Sequence, residues 1–359
     1  MSKKIQPTRP EPITSNIDVF PYNRRTEPQE AIDALIEGYH VLIDDFYSSG
    51  LELLNELKQF IKKEYSDQSF LGQREFRSAF RDLSHRILLK VSNHKIAVKK
   101  APEIGWLEIL YPEFDKYLLP FSQVQGLNSS WQWYKKGIFI PVLKQKIHPW
   151  FGTYFPTRFE HLELLDSWLR RYKGEKKSAF DIGIGSGVLS FQLIKNGFQK
   201  IYGTDTNANA IIGLNEYSNK QQGKLELLHG DLFAGCNEKS ELIVFNPPWL
   251  PASQNLDEID KAIYYTPELF SSFFTEAEKH LQKNGRLVLL FSNLAQIAKV
   301  DDSHPIEMEL VNGGRFEKEL FIQKKVRLAS KKTKRNQTWR TEEKVELWVL
   351  KLRSDKSPS

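Results

Sequence analysis

From Thr157 onward the sequence switches repeatedly between two hydrophobic periods, and few folds accept that alternation. A helical stretch, FEHLELLDSWLRRY, precedes the strand-like run SAFDIGI. Then come VLSFQLIKNG (helix), KIYGTD (strand), ANAIIGLNEYSNK (helix), KLELLHGD and ELIVFNPP (strands), PELFSSFFTEAEKHLQK (helix) and GRLVLLFSN (strand). Strands that alternate with helices form a mainly parallel sheet covered on both faces. Two further runs, ELFIQKKVRLAS and VELWVLKL, flank a polar insert and read as a terminal hairpin. The expected fold class is therefore α/β: a doubly wound, mainly parallel seven-stranded sheet with an antiparallel terminal hairpin, occupying residues 157–353.

The preceding residues read differently. Residues 1–28 hold five prolines and few apolar positions, which predicts a flexible lead-in. Over 29–130 the spacing predicts a smaller, mostly helical N-terminal domain, a candidate for substrate recognition. Ile32, Leu35 and Ile36 recur at helical spacing, as do Leu51, Leu53, Leu54 and Leu57. A third helix is predicted over FRSAFRDLSHRILLKV, with Phe76, Phe80, Leu83 and Ile87 on one face and Arg77, Arg81 and His85 on another. That basic face reads as solvated surface, with a polyanion contact as the alternative. Residues 131–156, with GIFIPVL and WFGTYF, are expected to form a β-hairpin linker.

Composition narrows the function classes. The 359 residues, 40% hydrophobic, suffice for two cores. The charged, proline-rich start MSKKIQPTRPEP lacks the apolar segment of a signal peptide, and no apolar run reaches the roughly 18 residues needed to span a bilayer. A cytoplasmic location and no membrane partner are expected. Cys236 is the only cysteine and the eight histidines lack ligand spacing, so no metal site is implied. A net charge of +6 permits a polyanionic partner without requiring one.

In open α/β sheets, ligands bind beyond the carboxyl ends of the strands. The first strand of the alternation ends in DIGIGSG, where Gly183, Gly185 and Gly187 allow a tight turn and a close backbone approach to a ligand. Val188 stands where a dinucleotide fingerprint has its third glycine, so the loop is G-x-G-x-G behind Asp181. The second strand ends in GTD. Its Asp205, 24 residues beyond Asp181, is placed to accept both hydroxyls of a ribose. The third ends in HGD, where Asp231 with the backbone of Leu232 is placed to accept from an adenine amino group. Each aspartate alone reads equally as a helix cap; three at successive strand ends point to a ligand.

These motifs, with NPPW at the end of the fourth strand, resemble those of class I S-adenosylmethionine-dependent methyltransferases over residues 150–350. The resemblance implies S-adenosylmethionine as cofactor, with Asp181 and the glycines at its methionine part, Asp205 at the ribose, and Asp231 and Leu232 at the adenine. The segment FPTRFEHLELL resembles the one preceding the first strand in glutamine-modifying members, which implies Thr157 as helix cap and Arg158 near the cofactor carboxylate; from the residues alone Arg158 reads first as a surface arginine after a cap. The resemblance does not extend to residues 1–150.

Asn246, Pro247, Pro248 and Trp249 suit a particular nitrogen chemistry. The lone pair of an amide or aromatic amine is delocalised, and the nitrogen attacks only as it becomes tetrahedral. An asparagine oxygen and a backbone carbonyl that take its two hydrogens favour that geometry. The prolines stiffen the turn and leave carbonyls free, while Trp249 offers a face for stacking a planar substrate. Enzymes that modify the adenine amino group and those that modify a glutamine amide carry similar motifs, commonly with Tyr or Phe last.

Between Lys324 and Arg340 lie eight basic residues and no acid. Lys331, Lys332, Lys334 and Arg335 are candidate phosphate contacts, and Trp339 a candidate base platform; a solvated loop is the alternative. The expected function is N-methylation of a planar amino group, with an adenine-type amino group in RNA as substrate. The alternative substrate is a glutamine amide in a translation-related protein.

Overall fold

The computed structural model describes residues 5–64, 70–220, 223–252, 264–327 and 342–354. Two compact units emerge, one of residues Arg9–Lys136 and the other of Gly137–Ser359 together with Met1–Thr8.

The unit Arg9–Lys136 contains β1 (Val19–Tyr22), α1 (Pro28–Ile36), β2 (His40–Ile43), α2 (Tyr47–Glu64), α3 (Phe70–Ser84) and β3 (Ile87–Ser92). It continues with β4 (Lys95–Ile96), α4 (Trp106–Leu110), β5 (Lys116–Pro120) and α5 (Phe121–Lys136). Strands β1, β2 and β3 run parallel, while β4 and β5 are antiparallel to β3. The expectation of a mostly helical domain is thus corrected to an α/β unit with a five-stranded sheet. The third helix stops at Ser84, short of Ile87, and ILLKV continues as strand β3. Four of those five residues are buried, and a short continuous apolar run carries the same pattern in a buried strand as in a buried helix. Residues 1–28 are not simply a lead-in either. Among them, β1 lies at the sheet edge, where Pro21 costs no central ladder bond, and Ile13 bridges Leu118. Thr8 exchanges two hydrogen bonds with the Asn209 side chain, of 2.9 and 2.7 Å, within the other unit.

The larger unit opens with the hairpin β6 (Ile138–Ile140) and β7 (Gln145–Ile147). The expected linker 131–156 is corrected at both ends. Residues 131–136 complete α5, and WFGTYF forms an irregular strap, turned at Gly152 with φ +67. The alternation follows: α6 (Glu160–Leu169), β8 (Ser178–Ile182), α7 (Val188–Lys195), β9 (Lys200–Asp205), α8 (Ala208–Lys220), β10 (Leu225–His229) and β11 (Ser240–Phe245). After it come β12 (Leu250–Pro251), β13 (Tyr264–Tyr265), α9 (Glu268–His280), β14 (Leu281–Ser292), the short α10 (Leu294–Ile297) and α11 (Pro305–Met308), β15 (Phe316–Lys325) and β16 (Lys344–Leu352).

The seven-stranded sheet has the order β10-β9-β8-β11-β14-β16-β15. Strands β8, β9, β10, β11 and β14 run parallel, and β16 is antiparallel to both its neighbours. Both faces are covered, which is why Leu242–Phe245 is apolar without alternation. Leu242 and Val244 enter one core, Ile243 and Phe245 the other. Strand order reverses between β8 and β11, so a ligand crevice is expected at their carboxyl ends. No helix among the described residues is long and apolar enough to cross a membrane.

Candidate active site

The glycine loop leaves β8 and enters α7 through Gly183, Gly185 and Gly187, whose φ values are +65, +51 and +78. Side chains rarely adopt these angles. At Gly185 a Cβ would also lie 3.2 Å from the Tyr154 carbonyl. The loop is tied to its surroundings by backbone donors. Gly185 N donates to Asp205 Oδ2 at 2.8 Å, and Ser186 N to the Tyr154 carbonyl at 3.1 Å. Asn207 completes this frame, since its backbone N–H donates to Asp205 Oδ1 and its side-chain amide to the Gly152 carbonyl, both at 2.8 Å. Neither the strap carbonyls nor Asn207 stood out in the sequence. The only available signal was the polar run TNAN after GTD.

Asp181 sits behind the loop. It is fully buried, and its Oδ2 accepts from the Ser190 amide at 2.8 Å and the Ser190 hydroxyl at 2.6 Å. Burial pushes its carboxyl up to about 7, against the two Ser190 bonds that favour the charged form. Its position braces the first turn of α7 rather than opening onto a crevice. Asp205 is partly exposed at the end of β9 and is raised by desolvation, opposed by the Asn207 and Gly185 amides. Each of its oxygens holds one backbone N–H. A carboxylate has about four acceptor positions, so capacity for two hydroxyls remains. This spare capacity beside positive-φ glycines fits the ribose end of S-adenosylmethionine.

Asp231 is exposed at the same edge, with its Oδ1 accepting from the Leu232 amide at 3.0 Å. Leu232 holds φ +45, and its carbonyl accepts from the Thr204 hydroxyl.

Asn246 follows β11 directly. Phe245 pairs with Ile182, the residue before Gly183, so both chains leave the sheet at the same edge. Pro247 is buried, and Asn246, Pro248 and Trp249 are partly buried. The Trp249 indole N–H donates to Asn246 Oδ1 at 3.2 Å and approaches the Leu290 carbonyl at 3.4 Å. Its ring packs against both cores and meets the His161 ring edge-on, at 5.7 Å and 88°. The expected stacking platform is thus turned inward in this conformation.

His161 is a site neighbour that sequence reasoning passed over, since one histidine in an amphipathic helix carries no signal. Burial pushes it from 6.5 down to about 4, with Glu160 opposing. The unfolded chain therefore takes up a proton near pH 6.5 that the folded chain refuses until about pH 4, so this contribution is present above pH 6.5 and lost as pH falls. Between pH 6 and 5 the loss should be about 1 kcal/mol. Urea unfolding of the parent and His161→Phe at both pH values checks it, with the variant expected to show the smaller change.

Arg158 pairs with the buried Glu343, one residue before β16. Thr157 caps nothing, because α6 begins at Glu160 behind Phe159. Further ion pairs join Glu163 to Lys324 and Arg327. Lys331, Lys332, Lys334, Arg335 and Trp339 lie outside the described residues.

The strand order, the glycine loop and the acid at the end of β9 are features of the class I S-adenosylmethionine-dependent methyltransferase fold, and S-adenosylmethionine is the cofactor they fit. Within that class, residues 163–303 match the family described as "Methyltransferase small domain". The chain is 29% identical over 162 residues to a putative protein N5-glutamine methyltransferase of Methanocaldococcus jannaschii, a match covering 43% of this chain and 79% of that one. It is 25% identical to a ribosomal RNA small subunit methyltransferase C of Alcanivorax borkumensis, over 46% of this chain and 53% of that one. A release factor glutamine methyltransferase of Lactococcus lactis is 24% identical, over 37% of this chain and 53% of that one. The chain thus spans about half the length of the latter two relatives.

Proposed function

We propose that this chain methylates a planar amino nitrogen, and that the nitrogen is an adenine-type amino group in RNA. The observation that carries the reading is the position of Asn246, an amide oxygen followed by two prolines, directly after β11, whose last residue pairs with the residue before Gly183. Bound S-adenosylmethionine supplies an electrophilic methyl group on a sulfonium. Asn246 Oδ1 and the Pro247 carbonyl accept the two N–H hydrogens and draw the nitrogen toward tetrahedral geometry. The nitrogen that takes up the methyl group then loses a proton to solvent. Asp205 would hold the ribose, Gly183, Gly185 and Gly187 the methionine part, and Asp231 with Leu232 the adenine. Asp181 contributes through α7. The site acts in the cytoplasm on this reading.

RNA is favoured by the origin of the basic segment. Its stems, Lys325 and Lys344, pair as the last rung of β15 and β16, and Val345 pairs with Ser292 at the carboxyl end of β14. The segment thus leaves and re-enters the sheet at the edge where Asn246 lies. A glutamine amide in a translation-related protein is the second reading, favoured by the relative of which 79% is matched. Transfer of labelled methyl groups into separated RNA and protein fractions, with mass spectrometry of the labelled product, decides between them. Changing Lys331, Lys332, Lys334 and Arg335 together to glutamine should weaken RNA binding and lower the slope of log affinity against log salt, by somewhat under about one unit per lost contact. Cofactor affinity should not change. Equal RNA binding and methylation by parent and variant at low and high salt would favour the glutamine amide.

A further inference from the structure

The Trp249 indole touches Asn246, the side-chain acceptor of the proposed chemistry. An asparagine amide has an oxygen on one side and an NH2 on the other, and the two fit the same space when turned by 180°. Only one of these orientations presents an acceptor. An indole N–H is donor only, so the 3.2 Å contact to Asn246 is satisfied by Oδ1 and opposed by the NH2 group. The indole cannot readily swing to suit a turned amide. It is held by the Leu290 carbonyl at 3.4 Å, by His161 edge-on, and by packing against both cores. A carbonyl oxygen accepts two hydrogen bonds, so Oδ1 keeps a second position for a substrate hydrogen.

We propose that Trp249 is a positioning residue whose indole N–H fixes which face of the Asn246 amide meets the substrate. The inference rests on the reading of Asn246 as the acceptor. It differs from a stacking role because the N–H, rather than the ring face, does the work, and because its effect vanishes when the acceptor has no wrong orientation. A carboxylate at position 246 offers oxygen on both sides.

The test is a double-mutant cycle on the full chain, measuring methyl transfer from labelled S-adenosylmethionine into bulk RNA and protein from cells lacking the chain. Trp249→Phe should lower kcat about 10-fold in the Asn246 background, with cofactor affinity unchanged by calorimetry. In the Asn246→Asp background the same change should cost far less. Equal losses in both backgrounds would reduce Trp249 to packing, and no loss in the first would remove it from the site. A second measurement does not depend on turnover: hydrogen exchange of the Trp249 indole N–H, assigned in spectra by its absence from Trp249→Phe. Exchange should be slow in the parent and faster in Asn246→Ala; equal rates overturn the proposal. Full activity of Asn246→Ala would instead sink the acceptor reading, whatever the exchange rates show.

Discussion

Replacing Asn246 with alanine is expected to lower methyl transfer at least about 100-fold while leaving affinity for S-adenosylmethionine nearly intact. The loss follows from the proposed role of the side chain, which directly follows β11, as acceptor for the reacting nitrogen rather than for the body of the cofactor. A preorganised acceptor that acts as charge develops lowers the barrier itself, so kcat should fall more than KM rises. Single-turnover transfer, paired with calorimetry of cofactor binding, separates the two effects. An Asn246→Ala enzyme that transfers methyl groups at the parental rate would refute the amine clamp.

Asp205→Ala should have the opposite signature. Its carboxylate holds the Gly185 and Asn207 amides and has capacity for two ribose hydroxyls, so its loss removes ligand contacts and loosens the loop together. Charge-assisted hydrogen bonds contribute about 1.5–3 kcal/mol each, and losing two should weaken cofactor binding about 100-fold or more. Asp205→Asn keeps one oxygen and should fall between parent and alanine variant. Calorimetry checks both. Unchanged affinity in Asp205→Ala would mean that the ribose lies elsewhere.

The larger unit was legible because its evidence is local and repeated. Each strand of the sheet carries its own apolar run, and chemistry-bearing residues stand at strand ends, where pattern and position coincide. DIGIGSG, GTD and NPPW needed no knowledge of the fold to stand out. The smaller unit was misread where that redundancy failed. ILLKV follows a true amphipathic helix with only His85 and Arg86 between them, so its strand character depended on partners, β2 and β5, that lie far away in sequence. Residues 19–22 were similarly silent, since a proline-bearing segment becomes a strand only when an edge awaits it. Within the site, sequence named the residues but not their relations. Nothing in NPPW says that the tryptophan turns inward to the asparagine, and nothing in FPTRFEHL says that Arg158 reaches Glu343, 185 residues away.

The order of the last three strands sets a schedule for the nascent chain. Strand β16 is synthesised after β15, yet it lies between β15 and β14 and is antiparallel to both. Until residues 344–352 leave the ribosome, β14 has no partner on that side and β15 has nowhere to dock, so two strand edges stay open during translation. The ion pairs that anchor the end of β15, from Lys324 and Arg327 to Glu163, have no docked strand to hold before that moment. A ribosome stalled inside the basic segment would therefore carry a chain able to pair β8, β9, β10, β11 and β14, but with an unfinished sheet margin exposed to other chains.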